Sequence, residues 1–466
     1  MSEKTGPILA ADGTPLKKKL AQTLFRSRAR AFGLVFPLLA FILIAFIVPI
    51  ISLLTQAVYD DEYASAMPKT SALVAQWDGT SEPTEEMYQA VVQDIIVSMA
   101  VDRPLPTKAA SRLNREISGA TSMTKKLIRS VGKFKLDYDG KKQDASGIIR
   151  SLEAEDSNGV PLLSPDERRA IGETLAQQAV AEYAPMKPIV LDADDSWDDI
   201  EYWQGMRVAA KKLTPSFVAT SLDYNYLYDG SFEKADENRR IHITLFLRTF
   251  EISLIVTIAT LLLGYPVGYM LSTLPTRTSN LLLILVLLPF WTSLLVRTTA
   301  WIAMLQGEGV LNDLFVVFGI ASDEDRFSLI YNKTGTLIAM THILLPFMIL
   351  PLYSVMKTIP PSYVRAAKSM GATPWTAFWR VYFPQSVPGI GAGALLVFIL
   401  AIGYYITPAL VGGQDGQMIS NIIDEHMRKS LNDNLAAAIS LVLLIFVLFL
   451  FWLYDRFVGI DNMKLG

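Results

Sequence analysis

Six long apolar stretches constrain this chain more than any other feature, because about 20 residues of helix cross the roughly 30 Å hydrocarbon core of a bilayer. They run from Phe32 to Val58, Ile252 to Leu274, Leu281 to Leu305, Leu337 to Met356, Ile390 to Leu410 and Leu435 to Tyr454. Their spacing predicts an all-α integral membrane protein with six transmembrane helices and a mostly helical extracytoplasmic insertion. The first run is too long for a signal-peptide core and lacks a small-residue cleavage site, so it reads as a retained span. A soluble enzyme does not fit a chain that is 51% hydrophobic. Zero cysteines exclude a disulfide framework, and three scattered histidines (His242, His342, His426) offer no metal-ligand cluster.

Charge sets the expected orientation, since Lys and Arg resist translocation. Residues 1–31 carry Lys17, Lys18, Lys19, Arg26, Arg28 and Arg30 and read as a cytoplasmic basic segment ahead of the first span, 32–58. Six crossings then place the carboxyl terminus inside as well. The segment 357–386 falls on the same side, with Lys357, Arg365, Lys368 and Arg380 and no acidic residue. Residues 59–240 fall outside as one inserted domain, with 22 basic against 31 acidic residues, a net charge of −9, while the remainder is +6. Nothing in this split points to nucleic acid. Within the insert, Met87, Val91, Ile95 and Ile96 recur on one helical face, as do Ile171, Leu175 and Ala179. Ser164, Pro165, Asp166 and Glu167 form a helix start, and Asp192 to Asp199 reads as a solvated turn or linker.

The five spans of 241–460 are joined by one unusual loop, which belongs to the segment PPSYVRAAKSMGATPWTAFWRVYFPQSVPGI from Pro360 to Ile390. Tyr363, Ala366, Ala367 and Met370 repeat at helical spacing, as do Trp375, Phe378, Trp379 and Tyr382, predicting two short amphipathic helices. Gly371 suits the left-handed position ending the first, while Thr373 and Pro374 suit the cap and first turn of the second. Such an element is a docking surface for a partner, or, read plainly, an interfacial helix lying on lipid.

This segment resembles the loop bearing the Glu-Ala-Ala signature in permease subunits of binding-protein-dependent ABC importers. Ala366, Ala367, Gly371, Ala372, Phe378, Pro384, Pro388, Gly389 and Ile390 match that pattern, whereas Arg365 replaces the usual Glu and Phe383 the usual Leu. Leu261 to Ser272, Leu285 to Leu305 and Leu344 to Met356 extend the resemblance to the spermidine/putrescine permease branch. The resemblance implies a multi-pass permease of a bacterial inner membrane, with an ATP-binding subunit dimer, a second permease subunit, a periplasmic solute-binding protein and membrane lipid as partners. It implies docking of the ATPase at Arg365, Ala366, Ala367, Gly371, Ala372, Trp375, Phe378 and Pro384. The solute would be a small polar molecule: a polyamine, an opine or another amino-acid-derived compound.

No Walker A spacing occurs, so ATP and Mg are expected on the partner ATPase, with no cofactor on this chain. Gly412, Gly413 and Gln414 read as a turn. Arg297 is the one charged residue well inside an expected span, where a centred Arg costs about 2.5–3.5 kcal/mol on insertion scales. Trp291, Tyr404 and Tyr405 could line a solute path with it, each ring offering a cation about 0.5–2 kcal/mol, or simply pack. Pro266, Pro289, Pro346, Pro351 and Pro408 are expected to interrupt helices. A multi-span sensor with a periplasmic ligand domain is the alternative reading; four further spans and no cytoplasmic kinase-like domain weigh against it.

Overall fold

A computed structural model describes residues 16–155 and 161–458. The start of the basic amino-terminal segment, residues 1–15, and the last residues of the carboxyl-terminal region lie outside them. The chain divides after Gln56 into two units. The first is one apolar helix: α1 (Leu16–Ile42) passes through a π turn at Leu43–Ile47 into Val48–Thr55, just before and across Pro49. An extra residue in a turn is one way a helix absorbs the missing proline N–H.

In the second unit, residues 57–240 form a helical body with a core of its own. Its helices include α2 (Pro68–Gln76), α3 (Glu85–Val101), α4 (Leu105–Glu116), α5 (Pro165–Tyr183) and α6 (Ser216–Ser221). Two small antiparallel hairpins, β1–β2 (Lys135–Tyr138, Lys141–Asp144) and β3–β4 (Tyr224–Tyr226, Phe232–Lys234), complete it. The stripe Met87, Val91, Ile95 and Ile96 is buried as its spacing predicts. The start of α5 is a capping box: Ser164 Oγ accepts from Glu167 N, and Glu167 Oε2 accepts from Ser164 N at 2.8 Å.

The acidic stretch Asp192–Asp199 differs from expectation. Trp197 within it is fully buried, packs edge-on against Trp203 at 5.9 Å, and its carbonyl accepts from both Trp203 Nε1 and Tyr88 Oη. Charged neighbours hid a core anchor, because a lone aromatic among carboxylates leaves no periodic signal. The buried Arg112 of the insert is paired with two carboxylates. Arg112 Nε lies 2.5 Å from Asp60, its Nη1 2.7 Å from Glu116, and its guanidinium stacks over Phe217 at 4.7 Å.

Helices make up most of the rest: α7 (His242–Thr273), α8 (Thr276–Leu287), α9 (Leu294–Leu305), α10 (Lys333–Thr358), α11 (Pro361–Ser369), α12 (Pro374–Ile402), α13 (Ile406–Val411), α14 (Ile419–Arg428) and α15 (Asp433–Val458), of which α7, α10, α12 and α15 are of membrane length. With α1, five helices are long and apolar enough to span, and a bent pair supplies the sixth. Two expected spans are corrected. Leu281–Leu305 is not one helix: the chain breaks after Trp291 and turns by 94°, where Pro289 opens a short 3-10 segment. Ile390–Leu410 starts instead at Pro374, ends at Ile402 and resumes as α13. Pro266, Pro346 and Pro351 sit inside unbroken helices, a correction explained by neighbouring helices and local adjustments that accommodate the lost hydrogen bonds.

Helix α10 lies between α7 and α12, and glycines set the distances. A Cβ on Gly264 or Gly268 would meet Met348 and Leu352 at 3.2 and 3.1 Å, and one on Gly389 or Gly393 would meet Val355 at 3.0 Å and Met348 Sδ at 2.7 Å. Both pairs are spaced four apart, so each presents a flat strip against α10. Lipid tails are as apolar as leucine, so close contact rather than exclusion of water holds these helices together.

The insert is tied into this bundle. Asp223 caps α7, accepting from His242 N at 3.0 Å and Ile243 N at 2.9 Å, while His242 Nδ1 lies 2.9 Å from the same carboxylate. Negative charge suits a helix N-terminus, where free N–H groups point outward. Asn434 Nδ2 in α15 donates to Tyr59 O, and Arg115 Nη2 donates to Leu431 O.

Candidate coupling surface and solute path

The Gly371 turn closes α11 with a two-bond Schellman motif. Gly371 N donates to Lys368 O at 3.0 Å, Ala372 N to Ala367 O at 3.1 Å, and Gly371 has φ +90. A Cβ there would meet nothing, so the requirement for glycine is conformational rather than steric. Thr373 Oγ1 then accepts from Thr376 N at 3.2 Å, and Pro374 occupies the first turn.

The residues beyond Pro374 do not form a second short helix. They begin α12, which runs through a π segment at Phe378–Tyr382 into the membrane without a break. The extra residue rotates the helix face by about 100°. Phe378 and Tyr382 therefore turn inward, while Trp375 and Trp379 stay exposed. In α11 the inward pair is Val364 and Ala367 rather than the expected stripe, leaving Tyr363, Arg365, Ala366 and Met370 outside. Ala372 is half-buried and Pro384 is exposed.

Aromatic packing locks this loop to the far end of α7. Tyr269 meets Tyr382 edge-on at 5.1 Å, and Tyr265 meets Phe378 at 6.2 Å and Phe383 at 5.9 Å. Tyr265 Oη lies 2.9 Å from Ser386 Oγ, and Tyr382 Oη 3.1 Å from Ser272 Oγ.

The four path candidates separate. Trp291 stands exposed at the corner of the bent pair. Arg297 lies in the first turns of α9; its Nε is sheltered with no hydrogen-bond partner among the described residues, and its charge reaches His342 and Tyr404. Trp301, one turn further, donates from Nε1 to His342 Nδ1 at 3.2 Å. Tyr404 and Tyr405 occupy the break between α12 and α13, where Ser420 Oγ and Asn421 Nδ2 donate to their carbonyls at 2.6 and 2.7 Å. Arg428, paired with Asp424 at 2.6 Å, donates to Tyr405 Oη at 3.0 Å and lies against its ring. A cation already holds Tyr405, so Tyr404 is the freer ring.

Sequence reasoning missed Trp301, His342 and Arg428. Trp301 had a signal, four residues after Arg297 on one helix face; the other two come from distant segments and had none.

Comparison with known proteins adds four likenesses. The family profile described as binding-protein-dependent transport system inner membrane component matches residues 244–459, so the insert lies outside it. The chain is 36% identical over 210 residues to the spermidine/putrescine transport system permease protein PotB of Haemophilus influenzae, covering 45% of this chain and 73% of that protein. It is 32% identical to the inner membrane ABC transporter permease protein YdcU of Escherichia coli, covering 44% of this chain and 68% of that one. A crystal structure of a bacterial alginate ABC transporter covers 49% of this chain and 81% of that chain at 16% identity and a TM-score of 0.40, a likeness that carries no argument.

Proposed function

This chain belongs to the family of binding-protein-dependent transport system inner membrane components, and from that premise we propose how it works. It is the permease subunit of an ATP-driven importer. A partner ATPase dimer binds ATP and Mg, a solute-binding protein delivers the solute, and a second permease subunit completes the path. The ATPase docks on the exposed face of Tyr363, Met370, Trp375 and Trp379 around the Gly371 turn. The observation that carries this reading is the continuity of α12: one helix begins inside the docking turn, is clamped to α7 by aromatic rings, and ends at Ile402, two residues before Tyr404.

Such a lever transmits work only where the two ATPase states favour different permease conformations. The break at Gly403–Tyr405, which the Arg297 charge reaches, is where the moving end of α12 meets the path. The solute class is a small polar, amino-acid-derived molecule such as a polyamine, supported by the names of the relatives. In this orientation both termini and the Gly371 turn are cytoplasmic and the insert is periplasmic.

Reconstitution with the partner chains tests this. ATPase activity stimulated by a polyamine-loaded binding protein is the expected result, with loss of stimulation in Tyr404→Ala at unchanged ATPase co-purification. Stimulation that survives Tyr404→Ala removes that residue from the path.

A further inference from the structure

The β3–β4 hairpin of the insert has two unlike faces. In its register Tyr224 pairs with Lys234, Asn225 with Glu233 and Tyr226 with Phe232, so alternate residues share a side. Asn225 and Glu233 line a polar cleft of about 460 Å³ under the hairpin, and Tyr226 at its turn end also reaches that cleft, where its Oη accepts from Lys211 Nζ at 3.0 Å. On the opposite side Tyr224 and Phe232 are bare, 41% and 57% exposed, beside exposed Lys234. Two large rings on one outer face, next to a membrane helix, make a small apolar patch of the kind that marks a contact surface.

The position of this face identifies what covers it. Asp223, immediately before β3, caps the first turn of α7, and Ala235, immediately after β4, donates from N to Asp223 O. The hairpin therefore springs from the head of a membrane helix. The outward side of that helix carries Ile243, Leu247, Leu254, Ile258 and Leu262, all exposed, interrupted once by Glu251, which pairs with Lys333. Leu222, two residues before Tyr224, lines an apolar groove of about 360 Å³ together with Ile243, Leu247 and Phe446 of α15. Two residues of strand reach about 7 Å, and the headgroup layer on each side of the hydrocarbon is about 5–8 Å deep.

We propose that the β3–β4 hairpin is an interfacial membrane anchor, with Tyr224 and Phe232 seated in the headgroup layer of the phospholipid leaflet that α7 enters and Lys234 reaching its phosphates. Aromatic rings favour that layer because one side is apolar and the other wet, and a lysine stem beside them carries its charge to the phosphates. The anchor holds the insert at a fixed height and tilt over the bundle, a constraint the Asp223 cap alone does not supply. It rests on the membrane reading of the chain and not on which solute is carried.

Because the chain has no cysteine, single nitroxide labels report without background. The full-length protein carrying Tyr224→Cys, Asn225→Cys, Phe232→Cys or Glu173→Cys is placed in vesicles of phosphatidylethanolamine and phosphatidylglycerol. Relaxation by oxygen is then compared with relaxation by a water-soluble nickel chelate. At positions 224 and 232 oxygen dominates; at 225 and 173 the nickel reagent dominates. Nickel dominance at 224 and 232 overturns the proposal. Exclusion of both reagents there also overturns it, because the face is then covered by protein.

Discussion

The insert and the membrane helices solve the same packing problem against opposite solvents. In the insert the largest side chains are inside: Trp197, Trp203 and Tyr88 form its centre, and the buried Arg112 is held by two carboxylates. In the bundle, large residues such as Leu262 face outward, 69% exposed, and glycines face inward. Water expels apolar surface, so the insert gains from burying big rings. Lipid does not, so the bundle gains from letting backbones approach. The lesson is that one residue type has opposite worth on either side of Asp223.

The strongest way to break this comparison is to truncate one large apolar residue in each region. Trp203→Ala should cost the insert about 3–5 kcal/mol, a large share of a domain's total stability. Leu262→Ala should leave thermal unfolding in lipid nearly unchanged. Equal losses by differential scanning of the protein in nanodiscs would contradict the distinction.

A pH series sharpens the insert's side. Asp94 is buried, accepts from Thr70 N at 2.7 Å at the head of α2, and burial pushes its carboxyl up to about 6. The folded state then holds a proton that the unfolded chain releases near pH 4, so this group's contribution favours folding at low pH and is lost as pH rises from about 4 to about 6. Two units correspond to about 3 kcal/mol as an upper bound. Residues 57–240 produced alone should melt cooperatively, and Asp94→Asn should flatten that part of the stability curve. An unchanged slope between those pH values would show that Asp94 titrates normally.

On the bundle's side, Gly393→Val drives a side chain into Met348 and should cost about 1–3 kcal/mol. The pairing of α10 with α12, read by cross-linking of introduced cysteines, should weaken. Undisturbed cross-linking would mean the close approach is not needed.

The smallest energetic effect carries the largest functional one. Gly371→Val strains a left-handed position by roughly 1–2 kcal/mol without meeting any neighbour. Folding should survive, whereas solute-stimulated ATPase activity should be lost, and Gly371→Asn should retain more of it. Full stimulation in the valine variant would remove the turn from coupling.

Sequence alone determined the class of the molecule, the number of crossings when the bent pair counts as one, and the glycine stop at Gly371. Each follows from local chemistry: apolar length sets a span, and a missing Cβ permits a positive φ. The start of α5 was legible for the same reason, since a capping box lies within four residues. Tertiary structure decided where helices bend, which face of the Trp375–Tyr382 segment turns inward, and how the insert meets the bundle. Apolar composition is silent on the first because lipid accepts any apolar face, so the break after Trp291 and the one at Gly403 look like continuous span. A single π turn rotated the second, beyond the reach of a 3.6-residue period. Asp223 decided the third from 19 residues away, and a contact across that separation exists only once the chain has folded around it.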